Sequence, residues 1–172
     1  MKNYFYPLLA LTLCLSTSCS EDEAINNQNG QAVVFASGVN RFETRVNDNG
    51  DQWLQGDEVG IYMFDAAKTA LKSNVKHAAA SAGASTTFQT TDVMYYPTDG
   101  SSVSFMAYHP YAATVGTEYA VDLSNQSNQT ALDLMYAVSE QNYNQASGTA
   151  VSLTFNHQLV KVILNTTADE AV

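Results

Sequence analysis

Apolar and polar residues alternate with a period of two in several short stretches of this chain. Val33, Phe35, Ser37 and Val39 fall on one side of such a pattern, which predicts a strand beginning near Ala32. The cluster Asn47-Asp48-Asn49-Gly50-Asp51 reads as a turn, and Trp53-Leu54-Gln55-Gly56-Asp57 leads into a second strand over Val59–Phe64. Ala66–Lys76 is expected to form a short helix, followed by a loop of small residues over Ala78–Ser85. Short strands are predicted at Thr86–Thr91 and Val93–Tyr96, closed by the turn Pro97-Thr98-Asp99-Gly100. The clearest alternation sets Val103, Phe105 and Ala107 against Ser102, Ser104 and Met106. Tyr119–Leu123, Leu132–Val138, Val151–Phe155 and Val160–Leu164 complete the predicted strands.

Many short strands separated by turn signals indicate an all-β fold, either a sandwich or a barrel. A sandwich is the expectation, with the inward faces of two sheets forming the core. No internal repeat is visible.

The first residues depart from this pattern. Lys2 is followed by an apolar run from Tyr4 to Leu15, which has the charged start and short apolar middle of an export signal. The run is shorter than the roughly 20 residues of a membrane-spanning helix, and Pro7 interrupts it. Leu15-Ser16-Thr17-Ser18-Cys19 resembles a lipobox, with leucine one place further upstream than is commonest. Residues 1–18 are therefore expected to be removed between Ser18 and Cys19. Cys14 departs with them, which leaves Cys19 as the leading residue and only cysteine of the mature chain. Lipid on Cys19 would hold the chain to a membrane, each buried methylene contributing about 0.8 kcal/mol. Ser20-Glu21-Asp22-Glu23 resembles the acidic tract of surface-exposed lipoproteins of the Gram-negative outer membrane, and residues 19–31 read as an acidic, flexible tether.

Composition narrows the partners. The chain has 7 basic and 17 acidic residues and a formal charge of −10. This balance argues against nucleic acid and anionic lipid surfaces. About 150 residues remain after cleavage, enough for one domain, assigned here to residues 32–172.

Catalytic parts are hard to find. His77, His109 and His157 have no partner at zinc-site spacing, and neither a phosphate-binding glycine loop nor a nucleophile elbow occurs. Asp57 and Glu58 are adjacent, so in a strand they point to opposite faces. His157 reads as a packed, hydrogen-bonded histidine. Asn47–Asp51 offers oxygen ligands but lacks the distal glutamate of a calcium loop, and reads as a hairpin turn. The expectation is a protein without catalytic activity, cofactor or metal. Tyr95, Tyr96, Tyr108 and Tyr111 form an aromatic cluster that either covers a sheet or, where exposed, stacks on sugars, with Tyr108 and Tyr111 as the glycan candidates.

An ordered series of blocks completes the reading. Val34-Phe35-Ala36-Ser37-Gly38 precedes Thr44-Arg45 and Trp53-Leu54-Gln55-Gly56-Asp57-Glu58-Val59-Gly60-Ile61-Tyr62. Tyr95-Tyr96-Pro97, then Val103–Tyr111, then Asp133-Leu134-Met135-Tyr136-Ala137 and Leu153–Val162 follow. In order and spacing the series resembles the fimbrillin-family lipoproteins, relatives of the type V pilin subunits. The resemblance implies a transthyretin-like, Greek-key β-sandwich and a fimbrial subunit or surface adhesin, at the outer membrane or in a fimbrium. It also implies proteolysis after an arginine near the first strand, for which Arg45 and Arg41 are the candidates. Loss of that strand would open a groove for a strand from another fimbrial subunit. Host or bacterial surface ligands are further expected partners, and a glycan-binding surface lipoprotein is the alternative. Such proteins usually carry a second sandwich, whereas this sequence stops at Val172, so the domain is expected to be incomplete at its C-terminal end and the second absent.

Overall fold

The computed structural model describes residues 30–39, 52–116, 118–139 and 142–160. Seven strands dominate: β1 (Phe35–Val39), β2 (Glu58–Phe64), β3 (Ala70–Ala79), β4 (Ser85–Gln89), β5 (Ser104–His109), β6 (Met135–Val138) and β7 (Val151–His157). A single helical turn, α1 (Gln129–Leu132), and a 3-10 turn at Gln145–Ser147 are the only helical pieces among the described residues. The fold is all-β, as the alternation predicts.

Hydrogen bonding joins all seven strands in one ring, in the order β1-β4-β3-β2-β5-β6-β7. The expected division into two sheets does not appear in this pairing, because β1 bonds to β4 on one side and to β7 on the other. Alternation along a strand is the same in a sandwich and in a barrel, so the sequence carries no signal for closure.

Inside the ring, Phe35 meets Phe105 edge-on at 5.1 Å and His77 at 5.2 Å. Val59, Ile61, Ala107, Val151, Leu153 and Phe155 are fully buried beside them. Trp53 is held by paired backbone bonds with Gly83 (2.8 and 2.9 Å) and packs edge-on against Phe88, His109 and Phe155. Each such aromatic pair contributes about 0.5–1.5 kcal/mol beyond its buried area.

Several local expectations are corrected. Ala66–Lys76 is not a helix: Asp65–Thr69 form a tight turn, and β3 begins at Ala70. Val75, His77 and Ala79 face inward between outward Asn74, Lys76 and Ala78, and pairing with β2 overrides the helix propensity of the run. Ala78 and Ala79 belong to β3 and Ser85 to β4, so the loop of small residues is shorter than expected. Val93–Tyr96 contributes only a single bridge, Tyr95 to Ala32, and Tyr119–Leu123 forms no strand. The strand expected at Val160–Leu164 lies outside the described residues from Lys161 onward, and Val160 itself is not in a strand.

Candidate functional site

β1 occupies the seam of the barrel. Phe35 to Gly38 run antiparallel to β4, with Phe35 opposite Phe88 and Ser37 opposite Thr86. On the other side Phe35 to Val39 run parallel to β7, with Phe35 opposite Val151 and Val39 opposite Phe155. Val33, Phe35, Ser37 and Val39 point inward and are buried, while Ala36 and Gly38 face out. The approach to β1 is stitched to the far loop: Val33 N donates to Met94 O (2.9 Å) and Tyr96 N to Gln31 O (2.9 Å). Gly30, at φ 73, lies so close to Tyr96 that an added Cβ would stand 2.4 Å from its carbonyl oxygen, so no larger residue fits here.

The arginines that bear on this strand follow it closely in sequence. Arg41 and Arg45 lie outside the described residues, as do Ser18 and Cys19 and the turn Asn47–Asp51. Described structure ends at Val39, two positions before Arg41, and resumes at Gln52.

The aromatic candidates separate. Tyr108 points outward on β5, yet its side chain is only 6 % exposed because it lies flat over Gly60. Its hydroxyl donates to Asn74 Oδ1 (2.6 Å), and Asn74 Nδ2 donates in turn to Ala112 O (2.9 Å). Burial raises the Tyr108 phenol pKa above its ordinary value. A ring so covered offers no open face to a sugar. Tyr111 is partly exposed, with Lys76 Nζ 5.7 Å from its ring centre, and Lys76 also pairs with Glu58 Oε1 at 2.9 Å.

Each histidine has a local partner. His77 is 2 % exposed and its Nδ1 lies 3.0 Å from Val75 O; burial lowers its pKa. His109 Nδ1 lies 2.9 Å from Glu58 O. His157 Nδ1 meets Asp133 Oδ1 at 2.6 Å and ties the end of β7 to the approach of β6, a partnership that spacing did not reveal. Among the described residues no group of three histidine, cysteine or acidic side chains is placed to hold a metal.

The outer wall has two characters. β4 and β7 present Ser85, Thr87, Gln89, Ser152 and Thr154 to solvent. β2, β5 and β6 instead present Tyr62, Phe64, Met106, Tyr136 and Val138, with Tyr62, Met106 and Val138 in register across three strands. Phe64, Lys68, Ser104, Met106, Tyr136 and Val138 line a shallow cleft of about 250 Å³ there. These residues come from three strands and a turn, so chain order does not announce them. The available signal was the aromatic residue at successive outward positions of β2.

Residues 44–172 match the family model described as fimbrillin-like, three quarters of the chain. The chain belongs to the fimbrillin-like family. A candidate fimbrium subunit of Bacteroides uniformis, Fim1C, is 33% identical over 175 residues, covering 98% of this chain and 57% of the relative. The fimbrillin-like barrel is also similar to the crystal structure of a candidate cell adhesion protein of the same species, with TM-score 0.59 and 27% identity, over 74% of this chain and 47% of that one. A candidate cell adhesion protein of Bacteroides ovatus shares the fold at TM-score 0.54 and 16% identity, over 74% of this chain and 52% of that one. The chain thus spans about half the length of these relatives.

Proposed function

We propose that this chain is the barrel portion of a non-catalytic, cell-surface fimbrial subunit or adhesin that assembles by strand addition. The observation that carries the reading is the position of β1: a five-residue strand closing the ring between β4 and β7, with Arg41 and Arg45 just past its end. Cleavage after either arginine would free β1 to leave. The groove left behind would bare the inward side chains Phe88, Val151, Leu153 and Phe155 together with two rows of unpaired backbone groups. Backbone pairing would give an incoming strand its affinity, and the alternating inward sites its specificity.

The names of the relatives, a fimbrium subunit and cell adhesion proteins, support the same reading. In the strand order β1-β4-β3-β2, three hairpin-linked strands are flanked by a fourth lying beside the far one, which supports a Greek-key connectivity of the kind expected for a transthyretin-like domain. Lipid on Cys19 would hold the precursor at the outer membrane until cleavage.

An arginine-specific protease provides the test. Cleavage should occur at Arg41 or Arg45, after which the chain should form ladders that resist SDS, and a peptide spanning Val33–Val39 should block them. Assembled material whose subunits still carry both arginines within an intact chain would overturn the cleavage step.

A further inference from the structure

The described residues contain only three cations, Lys68, Lys72 and Lys76, in a chain of net charge −10. Lys76 pairs with Glu58 at 2.9 Å and Lys72 with Asp92 at 3.8 Å. Lys68 pairs with no carboxylate among the described residues. Its Nζ instead donates to the Ser104 hydroxyl at 3.2 Å, across the floor of the outer-wall cleft. The backbone of Lys68 is unusual as well. It ends the three-residue loop between Asp65 and Thr69, whose ends are closed by Asp65 N to Thr69 O at 3.0 Å. There it takes φ 65, the left-handed position that such loops normally give to glycine. A strained non-glycine backbone that persists, with its side chain directed into a cleft, points toward function.

The cleft's walls are aromatic and aliphatic: Phe64 on one side, Tyr136 (39 % exposed) and Val138 (48 % exposed) on the other. We infer that this cleft binds a carboxylate-bearing saccharide. The Lys68 ammonium meets the carboxylate, the Tyr136 and Phe64 rings lie against the apolar face of the sugar, and the Ser104 hydroxyl hydrogen-bonds to a ring substituent. The volume, about 250 Å³, lies below the roughly 300–1,000 Å³ of sites for drug-sized ligands and suits a single sugar unit. An acidic peptide is a poorer fit, because β5 is paired on both sides and the wall offers no strand edge for a peptide backbone. Anionic lipid surfaces and nucleic acids are opposed by the charge of the chain, whereas a small anion feels chiefly the nearest cation.

The inference gives the adhesin reading a ligand class and rests on it only for the surface setting. Binding is measured on the chain in solution, so failure to form ladders would sink strand addition and leave this proposal standing. Calorimetric titration would compare oligogalacturonate and sialyllactose with their uncharged counterparts, and with polyglutamate. At least one acidic saccharide should bind about tenfold or more tightly than its neutral counterpart, as expected for a charge-assisted contact. Lys68→Gly should abolish that preference while raising the melting temperature, because glycine relieves the left-handed backbone. Tyr136→Ala should weaken the charged and neutral forms alike, and Lys76→Ala should leave the preference intact. The proposal is overturned by equal binding of charged and neutral sugars, by polyglutamate binding as well as the sugars, or by no binding at all. A dimer in sedimentation that Tyr136→Ala dissolves would also overturn it, making the wall an interface between copies.

Discussion

Gly60 has no side chain because the Tyr108 ring occupies the space. A Cβ there would stand 2.3 Å from Tyr108 Cε1 and 2.5 Å from Asn74 Oδ1. Neither neighbour moves freely, since the tyrosine hydroxyl, the asparagine amide and the Ala112 carbonyl hold one another. Gly60→Ala should therefore cost about 1–3 kcal/mol by overpacking, read as a lower urea midpoint with unchanged slope. His77 supplies a second prediction at this scale. Burial lowers its pKa in the folded barrel, so the unfolded chain takes up a proton more readily. Stability is then fullest above the unfolded value of about 6.5 and is lost as pH falls through it toward the depressed folded value. The urea midpoint should drop between pH 7 and pH 5, and His77→Leu should flatten the drop. An identical pH profile in the variant would assign it to other groups.

At the scale of elements, β1 is defined by what it fills. Phe35 lies edge-on to both Phe105 and His77, so it anchors the strand more firmly than Ser37, whose site opposite Thr86 is small and polar. For a strand peptide offered to a barrel stripped of β1, Phe35→Ala should weaken binding by about a hundredfold or more, given the roughly 3–5 kcal/mol of a buried phenylalanine. Fluorescence anisotropy would measure it, and equal affinity of the two peptides would place the anchor elsewhere. β1 and β7 were legible because buried and more exposed residues alternate along them, and β2 and β5 because every second position is apolar, Val59, Ile61 and Met63 in one and Phe105 and Ala107 in the other. β3 was not, because Ala66, Ala67, Lys68, Ala70, Leu71 and Lys72 favour a helix in isolation. Only pairing with β2 decides otherwise, and the register shift around Met63, with Asn74 at φ 50, further blurs the period. The cleft has no signature in the chain order for a related reason: Phe64 and Tyr136 come together only once β5 lies between their strands.

For the whole molecule, charge governs how copies meet. A formal charge of −10 makes approach of two chains unfavourable at low salt, where the screening length is about 30 Å at 0.01 M. Assembly of the processed chain should therefore accelerate toward 0.15 M, where that length is about 8 Å. Light scattering would follow the rate, and slowing with added salt would mean that attraction between charged patches drives assembly. Saccharide binding at Lys68 should show the opposite dependence.

The parallel pairing of β1 with β7 joins the two strands farthest apart along the described chain. The other six form an unbroken run, β4-β3-β2-β5-β6-β7, without it. While β1 remains covalently attached, the groove sees it at an effective concentration on the order of millimolar. Among the described residues, a cut between Val39 and Trp53 would break none of the hydrogen bonds that hold β1 in place. It would reduce that local concentration to whatever the surroundings supply. The contest between the chain's own strand and a foreign one would then be decided by abundance and by time, with the shape of the groove unchanged.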